Sequence, residues 1–114
     1  MSESDRRALW LRGLLDLCVL AVLRGGERYG YELAQLLEQC GLGQIKGGTL
    51  YPVLGRLADS GFLVAHWREG DGGPGRKYYA LTQEGLAFLD RQSDLWRGFD
   101  QAVHAVLSPN GGTS

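Results

Sequence analysis

The stretch GGTLYPVLGRLADSGFL, residues 47–63, decides the fold. Leu50, Leu54 and Leu57 recur at i, i+4 and i+7, which lines them up along one side of a helix. Gly61 stops that helix, so the spacing predicts an element over about 50–60. Its entrance holds an unusual trio, Thr49, Tyr51 and Pro52. With Thr49 as the N-cap, Pro52 takes the third helical position, where its missing N–H removes no intrahelical bond. With Gly48 as the N-cap, Pro52 moves one place inward and fits less comfortably. Thr49, Tyr51, Pro52 and Arg56 avoid the apolar stripe and are expected at an exposed helix entrance.

Working outward, residues 8–24 are predicted to form a first helix. Leu11, Leu14, Leu15, Cys18, Val19 and Val22 give it a broad apolar surface, ended by Gly25 and Gly26. A surface that wide calls for cover on more than one side, including from a second subunit. A second helix is expected from Tyr31 to Gln39, with Leu33, Leu36 and Leu37 turned inward and Gly41 as its terminal glycine. Downstream, residues 62–68 and 76–82 alternate as strands around EGDGGPG, residues 69–75, and read as a hairpin with a long turn. Thr82 then caps a last helix reaching Leu107, with Glu84 near its positive end. Leu89, Gln92, Trp96, Phe99, Val103 and Val106 alternate spacings of three and four along it, an imperfect heptad seam. One small chain has little left to cover that seam, which points to a symmetric dimer.

The fold class is therefore α+β, mainly α: a winged helix-turn-helix with a long C-terminal dimerisation helix. The winged unit is placed at residues 8–82 and the dimerisation helix at 83–107, with tails at 1–7 and 108–114. In such an architecture a recognition helix enters a major groove and a basic wing follows phosphates. The chain has 114 residues and a formal net charge of -1, so bulk charge does not announce a nucleic-acid partner. The distribution is more informative. Residues 45–82 carry five basic residues against three acids, and both flanking segments are net negative. Within that middle segment Lys46, Thr49, Tyr51, Pro52 and Arg56 surround the helix entrance, while Arg68, Arg76 and Lys77 lie on the hairpin. The basic hairpin residues serve either phosphate contact or simple solvation of an exposed wing. Of Tyr78 and Tyr79, at least one must pack, because strand side chains alternate faces. His66 reads as a surface residue without a partner.

Cys18 and Cys40 have no metal-ligand spacing, and Cys18 reads as a buried free thiol. No secretory leader or bilayer-spanning run is expected, and a reducing cytoplasm is the predicted compartment. No catalytic acid–base pair, phosphate-binding glycine fingerprint or metal cluster stands out, so neither an enzyme nor a cofactor is predicted.

YGYELAQLL, GGTLYPVLGRLADSGFL and GPGRKYYALTQEGLAFL, in that order, closely resemble the PadR family of bacterial transcriptional regulators. The resemblance covers about residues 14–89, and the short chain is similar to the branch with a single C-terminal helix. It implies a dimer joined largely by the terminal helices, and repression through inverted-repeat operators in double-stranded DNA. It also places Tyr31, Thr49, Leu50, Tyr51, Pro52 and Arg56 around the reading helix, and Arg76 and Lys77 on the wing. Three positions depart from the family pattern: Gly47, Gly55 and Ala58 stand where longer or acidic side chains are common.

Trp96, Phe99 and Asp100 lie close together on the last helix. Across a dimer they suggest a slot for a planar aromatic effector, with Trp10 and Leu14 as wall residues and Asp100 attracting a cationic group. Dimer core explains Trp96 and Phe99 equally well. The rival to a DNA reader is a winged-helix module that docks on protein through Tyr51 and the wing.

Overall fold

The computed structural model describes residues 1–70 and 73–109. Among the described residues five α-helices and three strands follow one another in the order α1 (Glu3–Arg12), α2 (Leu15–Leu23), β1 (Arg28–Tyr29), α3 (Gly30–Leu37), α4 (Gly47–Asp59), β2 (Leu63–Gly70), β3 (Gly73–Leu81) and α5 (Gln83–Leu107). The strands form one antiparallel sheet in the order β1-β3-β2. This is a winged helix-turn-helix carrying a long C-terminal helix.

The single first helix expected from the sequence is two helices. Residues 3–7, read as tail, belong to α1, which starts in a capping box between Ser2 and Asp5. The break falls at Gly13 and Leu14. There the amides of Gly13 and Leu14 bond to Trp10 and Leu11, three residues back, and tighten the turn. Separating the two lets the apolar α2 sink while α1, with no buried residue, stays outside. Leu15, Val19, Leu20 and Leu23 are buried, and α2 touches α3, α4, α5 and β3.

Helix α3 ends earlier than predicted, in a wide turn over Glu38–Leu42. Gly41 sits there at φ +99°, a conformation that suits glycine. Helix α4 starts earlier than predicted: Lys46 is its N-cap, and the Lys46 carbonyl accepts from the amides of Thr49 and Leu50 at 2.9 and 3.0 Å. Thr49 is therefore inside the first turn rather than at the cap. Pro52 lies a further turn in, and its missing N–H leaves the Gly48 carbonyl without its intrahelical donor. Gly48 itself is exposed, so that end of the helix is open to solvent. Val53 joins Leu50, Leu54 and Leu57 in the buried stripe.

The hairpin pairs Leu63 with Leu81, Ala65 with Tyr79 and Trp67 with Lys77 on one face. Its inner end joins the core through Leu63 and buried Tyr79, whereas Trp67 runs past the core into solvent. The predicted turn, residues 69–75, is strand wherever it is described, and residues 71 and 72 lie outside the described part. Strand β1 was not foreseen. It pairs Arg28 with Tyr79 and Tyr29 with Tyr78, tying the approach to α3 onto the wing.

Thr82 caps α5: its Oγ1 accepts from the Gly85 amide at 3.0 Å and donates to the Gly61 carbonyl at 2.7 Å. Phe62 and Phe88 stack with centroids 4.2 Å apart at this joint. Within α5 only Gly85 and Leu89 are buried, so the helix is anchored at one end. The predicted tail after Leu107 is described only for Ser108 and Pro109.

Candidate nucleic-acid interface and helix-side cavity

Helix α4 buries Leu50, Val53, Leu54 and Leu57 and turns Thr49, Tyr51, Pro52 and Arg56 to solvent. Lys46 is exposed at its N-cap. No side chain caps this end, so its free N–H groups and a nearby cation can receive an anion. Tyr51 is 53% exposed, yet its ring has a defined seat. A methyl group on Gly30 would stand 2.7 Å from Tyr51 Cζ, and one on Gly47 would stand 3.4 Å from the same ring. The two glycines thus let Tyr51 lie across the starts of both α3 and α4.

Tyr31 is exposed on α3. Its hydroxyl accepts from Gln35 Nε2 at 3.1 Å, and its ring stacks on Tyr29 with centroids 6.4 Å apart. Tyr29 meets Tyr78 edge-on at 5.4 Å. A line of aromatic rings therefore runs from α3 onto the wing.

On the wing Arg68 stands opposite Arg76. The Arg76 guanidinium lies 4.6 Å from the Tyr29 ring centre, and that of Arg68 lies 4.7 Å from that of Tyr78. Lys77 projects to the other face, 5.8 Å from the ring of Tyr79. Tyr79 is the tyrosine that packs. Burial pushes its hydroxyl pKa up, and Tyr51 adds to the shift. Among the described residues Arg76 and Lys77 have no carboxylate partner.

Arg68 does have one. It is paired with Glu27, whose second carboxylate oxygen lies 2.9 Å from His66 Nε2. This corrects the reading of His66 as a residue without a partner. Glu27 and the wing are far apart in the chain, and only the pairing of β1 with β3 brings them together. No local sequence signal marks that relationship.

A cavity of about 240 Å³ lies between the α1–α2 break and α5, lined by Leu14, Leu17, Phe88, Trp96 and Phe99 among others. The Trp96 and Phe99 rings are 6.2 Å apart. Two of the five residues expected at an effector slot do not line this cavity. Trp10 stands exposed on α1 under the Arg6 guanidinium, and Asp100 faces a separate depression beside His104. The carboxylate at the cavity is Asp16, which sequence reasoning missed because it comes from another helix. Burial pushes the nearby Cys18 thiol pKa up, and Asp16 reinforces the shift. Cys18 is half-buried rather than fully enclosed, and Cys40 is exposed. The described residues contain no group of three His, Cys, Asp or Glu that could hold a metal ion. No helix among them is long and apolar enough to cross a membrane.

A helix-turn-helix with an exposed, polar second helix beside a basic wing defines a winged-helix DNA-binding regulator. The chain belongs to the transcriptional regulator PadR-like family, whose model matches residues 19–91. It is 35% identical over 99 residues to an uncharacterized protein of Lysinibacillus sphaericus, covering 85% of this chain and 91% of that one. It is 26% identical over 102 residues to the transcriptional regulator YqjI of Escherichia coli, covering 88% of this chain but 47% of YqjI. Among solved structures, a PadR family transcriptional regulator from Eggerthella lenta is 36% identical, with a TM-score of 0.80 and 92% of each chain covered. A PadR-like transcription factor from Bacteroides fragilis is 31% identical, with a TM-score of 0.74 over 90% of this chain and 98% of that one. The chain is accordingly a PadR-type DNA-binding transcriptional regulator, with a regulatory rather than an enzymatic role.

Proposed function

We propose that the protein is a cytoplasmic, dimeric repressor that binds an inverted-repeat operator. Residues 8–82 form the reading unit and 83–107 the dimerisation helix. Helix α4 enters the major groove, where Thr49, Tyr51, Pro52 and Arg56 meet the DNA. Tyr31 and Lys46 flank that entry, and Arg68, Arg76 and Lys77 attend the phosphates along the wing. The observation that carries the reading is the two-sided character of α4, with a fully apolar inner stripe and an exposed outer side flanked by Arg76 and Lys77, which have no carboxylate partner among the described residues. The dimer is supported by the outer part of α5, where Phe99 is 64% and Val106 is 81% exposed.

The test is duplex binding at several salt concentrations, with a DNA selected from random sequence and a scrambled control. Selective binding that weakens with salt, and weakens further when Arg76 and Lys77 are changed to Ala, is the expected result. Losing both cations should flatten the slope of log affinity on log salt by about 1.8. Failure of every duplex to bind would turn the assignment toward a protein-docking module.

The same dimer is proposed to sense a planar aromatic ligand at the cavity beside Trp96 and Phe99. One chain supplies about 240 Å³, and a facing copy would enlarge it. Quenching of tryptophan emission by a planar aromatic cation, lost in Trp96→Ala, tests this site. Coupling to DNA requires that the ligand shift operator affinity in the same preparation.

A further inference from the structure

Glu27 stands just before β1, yet its side chain spans the central strand to reach two residues of β2. One oxygen takes His66 and the other takes Arg68, and the Arg68 guanidinium rests on the Tyr78 ring at 4.7 Å. His66 stacks on the same ring, with centroids 6.4 Å apart. Arg68 is thereby held from two sides, by a carboxylate and by an aromatic face. Among the described residues its neighbour Arg76 has the aromatic face without a carboxylate. A carboxylate offers a guanidinium much the same planar pair of acceptor oxygens that a phosphate does.

We propose that Glu27 is an internal stand-in for a DNA phosphate, which parks Arg68 and sets the strength of operator binding. The inference rests on the DNA-binding reading above. In the resting protein Arg76 and Lys77 engage phosphates directly, while Arg68 must first exchange one anion for another. That exchange yields little net affinity, because the phosphate only replaces an existing partner. Removing the Glu27 charge releases Arg68 as a further phosphate contact. Glu27 is thus a positioning residue that acts through Arg68 and never touches DNA itself.

A double-mutant cycle on the full chain tests this, using the duplex selected by the wild-type protein and read by fluorescence anisotropy across a salt series. Glu27→Gln is expected to bind about eight-fold tighter near 0.1 M salt, with a slope of log affinity on log salt steeper by about 0.9. Arg68→Ala alone is expected to weaken binding far less than Arg76→Ala, because the parked cation must leave Glu27 before it meets a phosphate. In the Arg68→Ala background Glu27→Gln is expected to change neither affinity nor slope. Glu27→Ala, run through the same cycle, guards against a local packing effect of the glutamine. Equal tightening with and without Arg68 would overturn the proposal, since Glu27 would then act as a bare repelling charge. So would an unchanged salt slope in Glu27→Gln. Absence of duplex binding by the wild type would instead overturn the DNA-binding reading, and the parking of Arg68 with it.

Discussion

At the scale of single residues, two glycines are held in place by what lies against them. A methyl group at Gly85 would run into the Phe62 carbonyl and stand 2.9 Å from Leu81 Cδ1. The main obstacle is backbone, which cannot swing aside, so Gly85→Ala should cost about 3 kcal/mol, read from the urea midpoint. At Gly30 the obstacle is the Tyr51 ring, which can rotate away. Gly30→Ala should therefore lose less stability but weaken duplex binding, because it displaces a ring at the proposed DNA-facing surface. Tyr79 adds a pH dependence. Its hydroxyl pKa is raised by burial above the ordinary value of about 10, so the fold favours the neutral phenol. Its contribution is fully present below pH 10 and is lost as pH rises through the higher folded value. Tyr79→Phe should remove that component, visible as a shallower fall in melting temperature above pH 10 than in wild type.

At the scale of elements, the two threonines near helix starts have different tasks. Thr82 is a cap with bonds at both ends, and Thr82→Ala should cost about 1 kcal/mol. Thr49 lies inside α4 and caps nothing, so Thr49→Ala should change stability by less than about 0.5 kcal/mol. Thermal melts of the pair distinguish the two roles. The contrast also shows what the sequence could convey. The stripe of Leu50, Leu54 and Leu57 was legible because helical period is a local property. The start of α4 was not, because Gly47 and Gly48 look like loop residues and turn helical only once Ile45 and Leu50 are drawn into the core. Strand β1 has two residues and so no period to detect. The partners of Glu27 and the place of Asp16 depend on which elements meet, information that no single stretch contains. Trp96 and Phe99 were legible as neighbours because they share one helix.

At the scale of the whole molecule, the chain measures 59 × 34 × 21 Å, and α5 accounts for much of the long dimension. Beyond Leu89 that helix presents Leu95, Phe99, Val103, Val106 and Leu107 to solvent. In the proposed dimer these residues are covered by the partner copy. Changing Leu95 and Phe99 together to Glu should yield a monomer by sedimentation, with the winged unit still melting cooperatively. Duplex affinity should fall at the same time, since the two half-sites would then be bound independently.

The one-ended anchoring of α5 has a mechanical consequence. With Leu89, its last buried residue, taken as the fulcrum, the arm to Leu107 is about 27 Å long. A tilt of roughly 10° at that fulcrum carries the far end about 5 Å, more than the 3.4 Å rise of one base pair. In the proposed dimer, paired arms of this kind would make a caliper. In that dimer a small wedge between the arms would shift their ends by more than a nucleotide step, and with them the spacing of the two reading heads.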